Sequence, residues 1–202
     1  MNKYFVTGIG TGIGKTLVSA ILTEKLKADY WKPIQSGDLD TSDSITIDSL
    51  ISNTQTVIHP ESYRLTQPLS PHLSARLDGV DIDLDEINIP LTDNNLIIEG
   101  AGGLMVPLNE DELIVDLIKK LEVEVILVSQ NYLGSINHTL LSVNLLKQYK
   151  IPVKGIIFNG EENTETERYI LQYAKIKKLG SIPSFSNIDK EKVKAAGQNL
   201  SI

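Results

Sequence analysis

Short apolar runs rich in branched and aromatic residues punctuate the chain at residues 4–7, 30–31, 96–98, 123–128, 153–158 and, more weakly, 179–182. Runs of that length predict strands. Between them, two stretches have helical spacing: residues 16–27, through Leu17, Val18, Ile21, Leu22 and Leu26, and residues 136–149, through Ile136, Leu140, Val143 and Leu146. Strands alternating with helices predict an α/β fold, a mainly parallel sheet with helices on both faces, which binds ligands beyond the carboxyl ends of its strands. Residues 34–41 and 66–93 lack a clear period. The second stretch is rich in Pro, Asp and Leu, and its length predicts a functional or poorly ordered loop. Residues 189–196 carry Lys190, Lys192 and Lys194 but almost no bulky apolar residue, so no membrane-surface helix is expected there. Lys175, Lys177 and Lys178 predict a solvated face near a helix C-terminus.

Length and charge narrow the class. At 202 residues the chain is expected to form one domain spanning 1–202. The 26 acidic and 19 basic side chains leave a net charge of −7, which argues against binding a nucleic-acid backbone. No apolar run approaches the roughly 18 residues that cross a bilayer, and the first residues run into glycines too soon for a signal peptide. A cytoplasmic protein with no membrane partner is the expectation. With no Cys and only His59, His72 and His138, thiolate chemistry and a His-based zinc site are excluded, so any metal must take oxygen ligands.

The segment from Thr7 to Thr16, Thr-Gly-Ile-Gly-Thr-Gly-Ile-Gly-Lys-Thr, follows a predicted strand and opens a predicted helix. Glycines let successive N–H groups turn toward one oxyanion, and the new helix aims its free donors at the same place. A phosphate chain fits that cradle, with Gly10, Thr11, Gly12, Ile13 and Gly14 supplying backbone, Lys15 a charge for the outer phosphates and Thr16 a hydroxyl for Mg²⁺. Five residues rather than four separate Gly8 from Gly14, so this is a variant phosphate loop, and Ile13 spoils a dinucleotide fingerprint. Mg²⁺ wants one or two carboxylates besides. Glu99, at the end of an apolar run and followed by Gly100-Ala101-Gly102-Gly103, supplies one where the backbone can pass close to a ligand; Asp43, at a helix start, is a second candidate. Asn159 also ends a strand, and its amide matches the donor and acceptor edge of adenine.

These segments, together with Lys32-Pro33-Ile34-Gln35-Ser36-Gly37, Ser70-Pro71-His72, Leu133-Gly134-Ser135-Ile136-Asn137-His138 and Gly180-Ser181-Ile182-Pro183, resemble the dethiobiotin synthetase family over nearly the whole chain. The resemblance implies 7,8-diaminononanoate, CO₂, ATP and Mg²⁺ as inputs, dethiobiotin, ADP and phosphate as products, and a homodimer with active sites at its interface. It implies Mg²⁺ on Thr16, Asp43 and Glu99, phosphate contacts from Thr11, nucleotide contacts near Gly102, Asn159 and Pro183, and positive charge for a carbamate from Lys15 and Lys32, with Ser36 as donor. It further implies Pro71 on the substrate side and Gly134, Ser135 and Asn137 of a second subunit at the substrate carboxylate. At Gly12 the chain departs from family members that carry an acid there.

Two other readings share the phosphate loop. A dimeric switch ATPase of the partitioning or division-site type carries an extra Lys early in the loop, where this chain has Gly10. A small-molecule phosphotransferase commonly clamps developing charge with several arginines, and Arg64, Arg76 and Arg168 are scattered.

Overall fold

A computed structural model describes residues 1–202. Its core is a seven-stranded sheet in the order β4-β2-β6-β1-β7-β8-β9, with every neighbouring pair parallel. The strands are β1 (Lys3–Gly8), β2 (Asp29–Trp31), β4 (Ile58–His59), β6 (Leu96–Gly103), β7 (Glu124–Gln130), β8 (Val153–Asn159) and β9 (Lys178–Ile182). Two short strands, β3 (Ile34–Ser36) and β5 (Tyr63–Leu65), pair in a separate parallel ribbon. The helices are α1 (Lys15–Leu26), α2 (Asp43–Leu50), α3 (Pro71–Asp78), α4 (Ile114–Leu121), α5 (Ser135–Gln148), α6 (Thr164–Ala174) and α7 (Lys190–Gln198).

Because side chains alternate along a strand, each buried run divides between two faces. Tyr4, Val6, Ile97, Ile126 and Val128 pack with α1, α2 and α7 through Val18, Ile21, Ile47 and Val193. Phe5, Leu96, Ile98 and Val125 turn the other way, onto Ile114, Leu117 and Ile118 of α4 and Leu146 of α5. Leu127, Ile156 and Phe158 meet Val143 of α5 and Ile170 of α6. This is the α/β arrangement that the alternation predicts. It also puts β1, with the phosphate loop at its end, in the interior of the sheet between β6 and β7.

Three expectations need correction. Residues 34–41 are not irregular throughout, since they hold β3 and a 3₁₀ turn at Leu39–Thr41. Residues 66–93 depart from the expectation in one respect, that they are not poorly ordered: α3 starts with Ser70 as its cap and Pro71 in its first turn and ends at the left-handed Gly79, while Ile82, Leu84 and Ile87 enter the core. Asp78 also accepts from the Thr66 N–H at 2.7 Å. Lys178 is not merely solvated, because it pairs at 2.7 Å with Glu167, a buried carboxylate that also accepts from the Asn131 amide. The lysine-rich C-terminal stretch is α7, whose small face of Val193 and Ala196 packs onto α1.

Glu24 of α1 fastens the segment after α2. Its carboxylate accepts from the N–H groups and side chains of both Ser52 and Asn53, at 2.6 to 3.0 Å. Burial alone would raise its pKa, but these hydrogen bonds prevail and hold it at about 2. A depressed carboxyl contributes stability above its unfolded pKa and loses it as the pH falls through the folded one. Wild type is therefore expected to exceed Glu24→Gln in unfolding free energy by about 3 kcal/mol at most at neutral pH, with the gap closing between about pH 4.5 and 2. Urea denaturation of both proteins across that range checks it; a gap independent of pH would refute the coupling.

Candidate active site

The residues between β1 and α1 fold as a cradle because glycine takes backbone conformations that other residues resist. Gly12 (φ 73°) and Gly14 (φ 88°) are left-handed. Gly14 caps α1 without any side-chain hydrogen bond, so the first N–H groups of the helix remain available to an anion. A Cβ at Gly14 would also lie 2.1 Å from Asn159 Nδ2 and so would displace the amide that donates to the Ile13 carbonyl at 2.9 Å. At Gly12 a Cβ would meet nothing within 4 Å, so the missing acidic side chain leaves open space rather than a filled pocket.

A cleft of about 670 Å³ opens above this loop. Thr11, Gly12, Gly14, Lys15, Thr16, Lys32, Ser36, Asp43, Pro71, Glu99 and Gly102 all line it, so residues from position 11 to position 102 meet in one place. A larger hollow of about 870 Å³ lies at the amino ends of β7 and β8, lined by residues such as Asp116, Lys119 and Tyr149. It has no glycine cradle, and one of its two carboxylates, Asp116, is already taken by the Leu113 N–H; the carboxyl-end cleft is the chemically equipped one.

The polar centre of the cleft is a compact network. Thr16 Oγ1 donates to Glu99 Oε1 at 2.9 Å, and Tyr30 Oη donates to Glu99 Oε2 at 3.0 Å. Lys32 Nζ pairs with Asp43 and stands 3.7 Å from Glu99 Oε1. Asp43 is held at the start of α2 by its own N–H, which donates to Gln35 Oε1 at 3.3 Å, and by the Ser42 cap of that helix. Burial alone would lower the Lys32 pKa, but the charges of Glu99 and Asp43 raise it above its usual value. Lys15 goes the other way: burial lowers it, helped by Lys32 and opposed by Glu99 and Asp43. Burial and the neighbouring Glu99 charge push Tyr30 well up, so its phenol stays a donor.

The Thr16 hydroxyl and the Asp43 and Glu99 carboxylates all border the cleft, Thr16 bonded to Glu99 directly and Asp43 joined to it through Lys32. Such a donor set suits Mg²⁺, which keeps several waters and completes its shell with phosphate oxygens. Ser36 Oγ is buried without a partner beside the network.

Other candidate residues lie elsewhere. Gly10 lines an apolar hollow of about 350 Å³ with Met105, His138 and Leu141. Ile13 is buried under the loop, Asn159 sits behind it, and Pro183 is exposed beyond β9. Gly134, Ser135 and Asn137 open α5 away from the cleft of their own chain. Gly134 is left-handed and caps α5 with no side-chain hydrogen bond, and Ser135 Oγ is buried and unpartnered. Sequence reasoning missed Tyr30, Gln35 and Asp38, which line or brace the cleft. Asp38 and Gln35 border the Ser36-Gly37 turn and had a positional signal; Tyr30, inside an apolar dipeptide, had none.

A family model described as an AAA domain matches residues 2–192. The chain is 54% identical to an ATP-dependent dethiobiotin synthetase BioD of Cytophaga hutchinsonii, over 99% of this chain and 97% of the relative. It is 52% identical to the protein of the same name from Christiangramia forsetii, over 95% and 92% of the two chains. Among solved structures, the Pyrococcus furiosus cell division ATPase MinD aligns with a TM-score of 0.65 at 13% identity, covering 98% of each chain. A ParA family ATPase from Chlorobium tepidum aligns with a TM-score of 0.59 at 17% identity, over 98% of this chain and 89% of that one. These two likenesses speak for the fold alone.

Proposed function

Because the chain belongs to the ATP-dependent dethiobiotin synthetase family, an ATP-dependent ligase family, we propose that it carboxylates 7,8-diaminononanoate with CO₂ and closes the ring to dethiobiotin, giving ADP and phosphate. The observation that carries this reading is the placement of two buried lysines, Lys15 and Lys32, and an unpartnered Ser36 hydroxyl on one cleft over the phosphate loop. One amine adds to CO₂ and loses a proton to give a carbamate. A carbamate oxygen then takes the γ-phosphoryl group, and the second amine attacks the mixed anhydride, expelling phosphate and closing the ring. Negative charge accumulates at the carbamate and the transferring phosphoryl group, so the protein must supply positioning and cations rather than a nucleophile.

In this scheme the loop backbone of Gly10, Gly12, Ile13 and Gly14 and the Thr11 hydroxyl orient the phosphates, and Lys15 neutralises the outer ones. Lys32 holds the carbamate, with Ser36 donating to the same oxygens. Thr16, Asp43 and Glu99 would hold Mg²⁺, which when bound neutralises charge between the phosphates. Gly102 passes beside Thr11 at the phosphates, and the free Asn159 amide acceptor and the Pro183 region take the adenine. Pro71 borders the diamine.

The free helix end at Gly134, Ser135 and Asn137 would bind the substrate carboxylate of a second subunit, which makes the active form a homodimer. The apolar surface around it supports a covering partner: Leu133 is fully exposed, and Met105 and Leu141 are more than half exposed. The switch-ATPase reading has no specific support in the site, since Gly10 stands where that class carries a lysine and α7 turns its small apolar face inward.

The test is a product assay by mass spectrometry with purified protein, Mg²⁺, ATP, bicarbonate and 7,8-diaminononanoate, with ADP followed in parallel. Equal amounts of dethiobiotin and ADP, only when the diamine is present, are expected. ADP release indifferent to the diamine, with no ring product, would overturn the ligase reading.

A further inference from the structure

Tyr30 is fully buried between the sheet and α1, in a cluster whose other members include Ala20, Ile47 and Ile97. Among these apolar neighbours a phenylalanine would pack equally well, so the hydroxyl calls for an explanation. It makes one hydrogen bond, to Glu99 Oε2 at 3.0 Å. Glu99 is itself 1% exposed, and its two oxygens have different surroundings. Oε2 faces the core and takes the phenol, while Oε1 faces the cleft, accepting from Thr16 at 2.9 Å and standing 3.7 Å from Lys32 Nζ. A carboxylate can rotate about its last bond, and a donor fixed in the core removes that freedom.

Resting on the reading of Thr16, Asp43 and Glu99 as the holders of Mg²⁺, we propose that Tyr30 is a positioning residue for that site, its hydroxyl locking the Glu99 carboxylate so that Oε1 alone is presented to the cation. Tyr30 touches neither substrate nor nucleotide in this arrangement; it acts through Glu99. The effect belongs to cation affinity and leaves the phosphoryl step itself alone.

Mn²⁺ is the probe, titrated in the presence of ADP and followed through the free-ion signal in electron paramagnetic resonance. The proteins are wild type, Tyr30→Phe, Glu99→Gln and Tyr63→Phe. Tyr63 is a control phenol outside the cleft, which exchanges hydrogen bonds with the Asp83 backbone at 3.0 and 3.3 Å. Tyr30→Phe keeps the ring and its packing, and thermal unfolding of each variant establishes that it is folded. Loss of an outer partner of a metal ligand typically weakens binding 10- to 100-fold. Tyr30→Phe is therefore expected to weaken Mn²⁺ about tenfold and to raise the Mg²⁺ concentration needed for half-maximal turnover by a similar factor, with kcat at saturating Mg²⁺ nearly unchanged. Tyr63→Phe is expected to lose stability without moving Mn²⁺ affinity. Unchanged Mn²⁺ affinity in Tyr30→Phe, with a clear loss in Glu99→Gln, would overturn the positioning role and leave the metal reading standing. Unchanged affinity in Glu99→Gln as well would overturn the metal reading on which the proposal rests.

Discussion

Lys15→Ala is expected to lower ATP-dependent turnover by about 10³-fold or more while the protein stays folded. Lys15 is 8% exposed, sits on α1 directly after the glycine cradle, and donates through Nζ to the Gly10 carbonyl at 3.4 Å. A phosphoryl transfer concentrates charge on the outer phosphate, and a positioned cation in a partly dry cleft stabilises that charge far more than water would. Folding gains little from the same group, since burial lowers its pKa and so opposes its charge in the folded chain. The variant is therefore expected to melt at or above the wild-type temperature, which separates lost chemistry from lost structure. Near wild-type release of ADP would remove the loop lysine from the mechanism.

Lys32→Ala is expected to cut ring closure by about 10²- to 10³-fold while changing ATP binding only a few-fold. Lys32 stands between Asp43 and the buried Glu99, so its removal also leaves an uncompensated carboxylate in the core. Breaking a buried pair from one side costs about 3 to 5 kcal/mol, and the variant should melt well below wild type when no cation is added. Mg²⁺ with ADP should restore much of that loss, because a divalent cation replaces the missing charge. Calorimetry of ATP binding, a product assay and melting curves with and without Mg²⁺ and ADP test all three parts. Equal losses of ATP binding and ring closure would sink the carbamate assignment.

Sequence pattern makes the sheet legible because β1, β6, β7 and β8 are buried on both faces, and burial enforces continuous branched runs. It makes the phosphate loop legible because few backbones other than glycine-rich ones form such a cradle. The chemistry outside the loop owes more to family resemblance: Lys32 before a proline and Ser36 before a glycine look like an ordinary turn by themselves. β3 and β5 are three residues each, too short for alternation to register. α3 did leave a signature in Ser70-Pro71 and Asp78-Gly79, but it was submerged in a stretch rich in turn residues. α4 shows the converse difficulty, since Ile114, Val115, Leu117, Ile118 and Leu121 give a sound helical face on only eight residues, and the start is capped from within the first turn, where the Asp116 carboxylate accepts from the N–H of Leu113, a residue that is no capping signal itself. Tyr30 was invisible for a physical reason: position 30 is as apolar as its neighbours except for one oxygen, and what that oxygen meets lies on a strand distant in sequence.

The small β3–β5 ribbon divides the cleft into two kinds of wall. Thr16 and Glu99 stand on α1 and β6, which are built into the central sheet, whereas Ser36 lies on the ribbon, Asp43 starts the helix that follows it, and Pro71 starts α3, packed against it. Such a layout makes the enzyme modular for redesign. Only its outer turns are exchangeable: loop lengths and side chains at residues 37–41 and 66–70 can be varied at the rim of the cleft, while Asp43, α2 and β4 stay with the frame, because Ile47 and Leu50 pack in the core with α1 and β4 pairs in the central sheet.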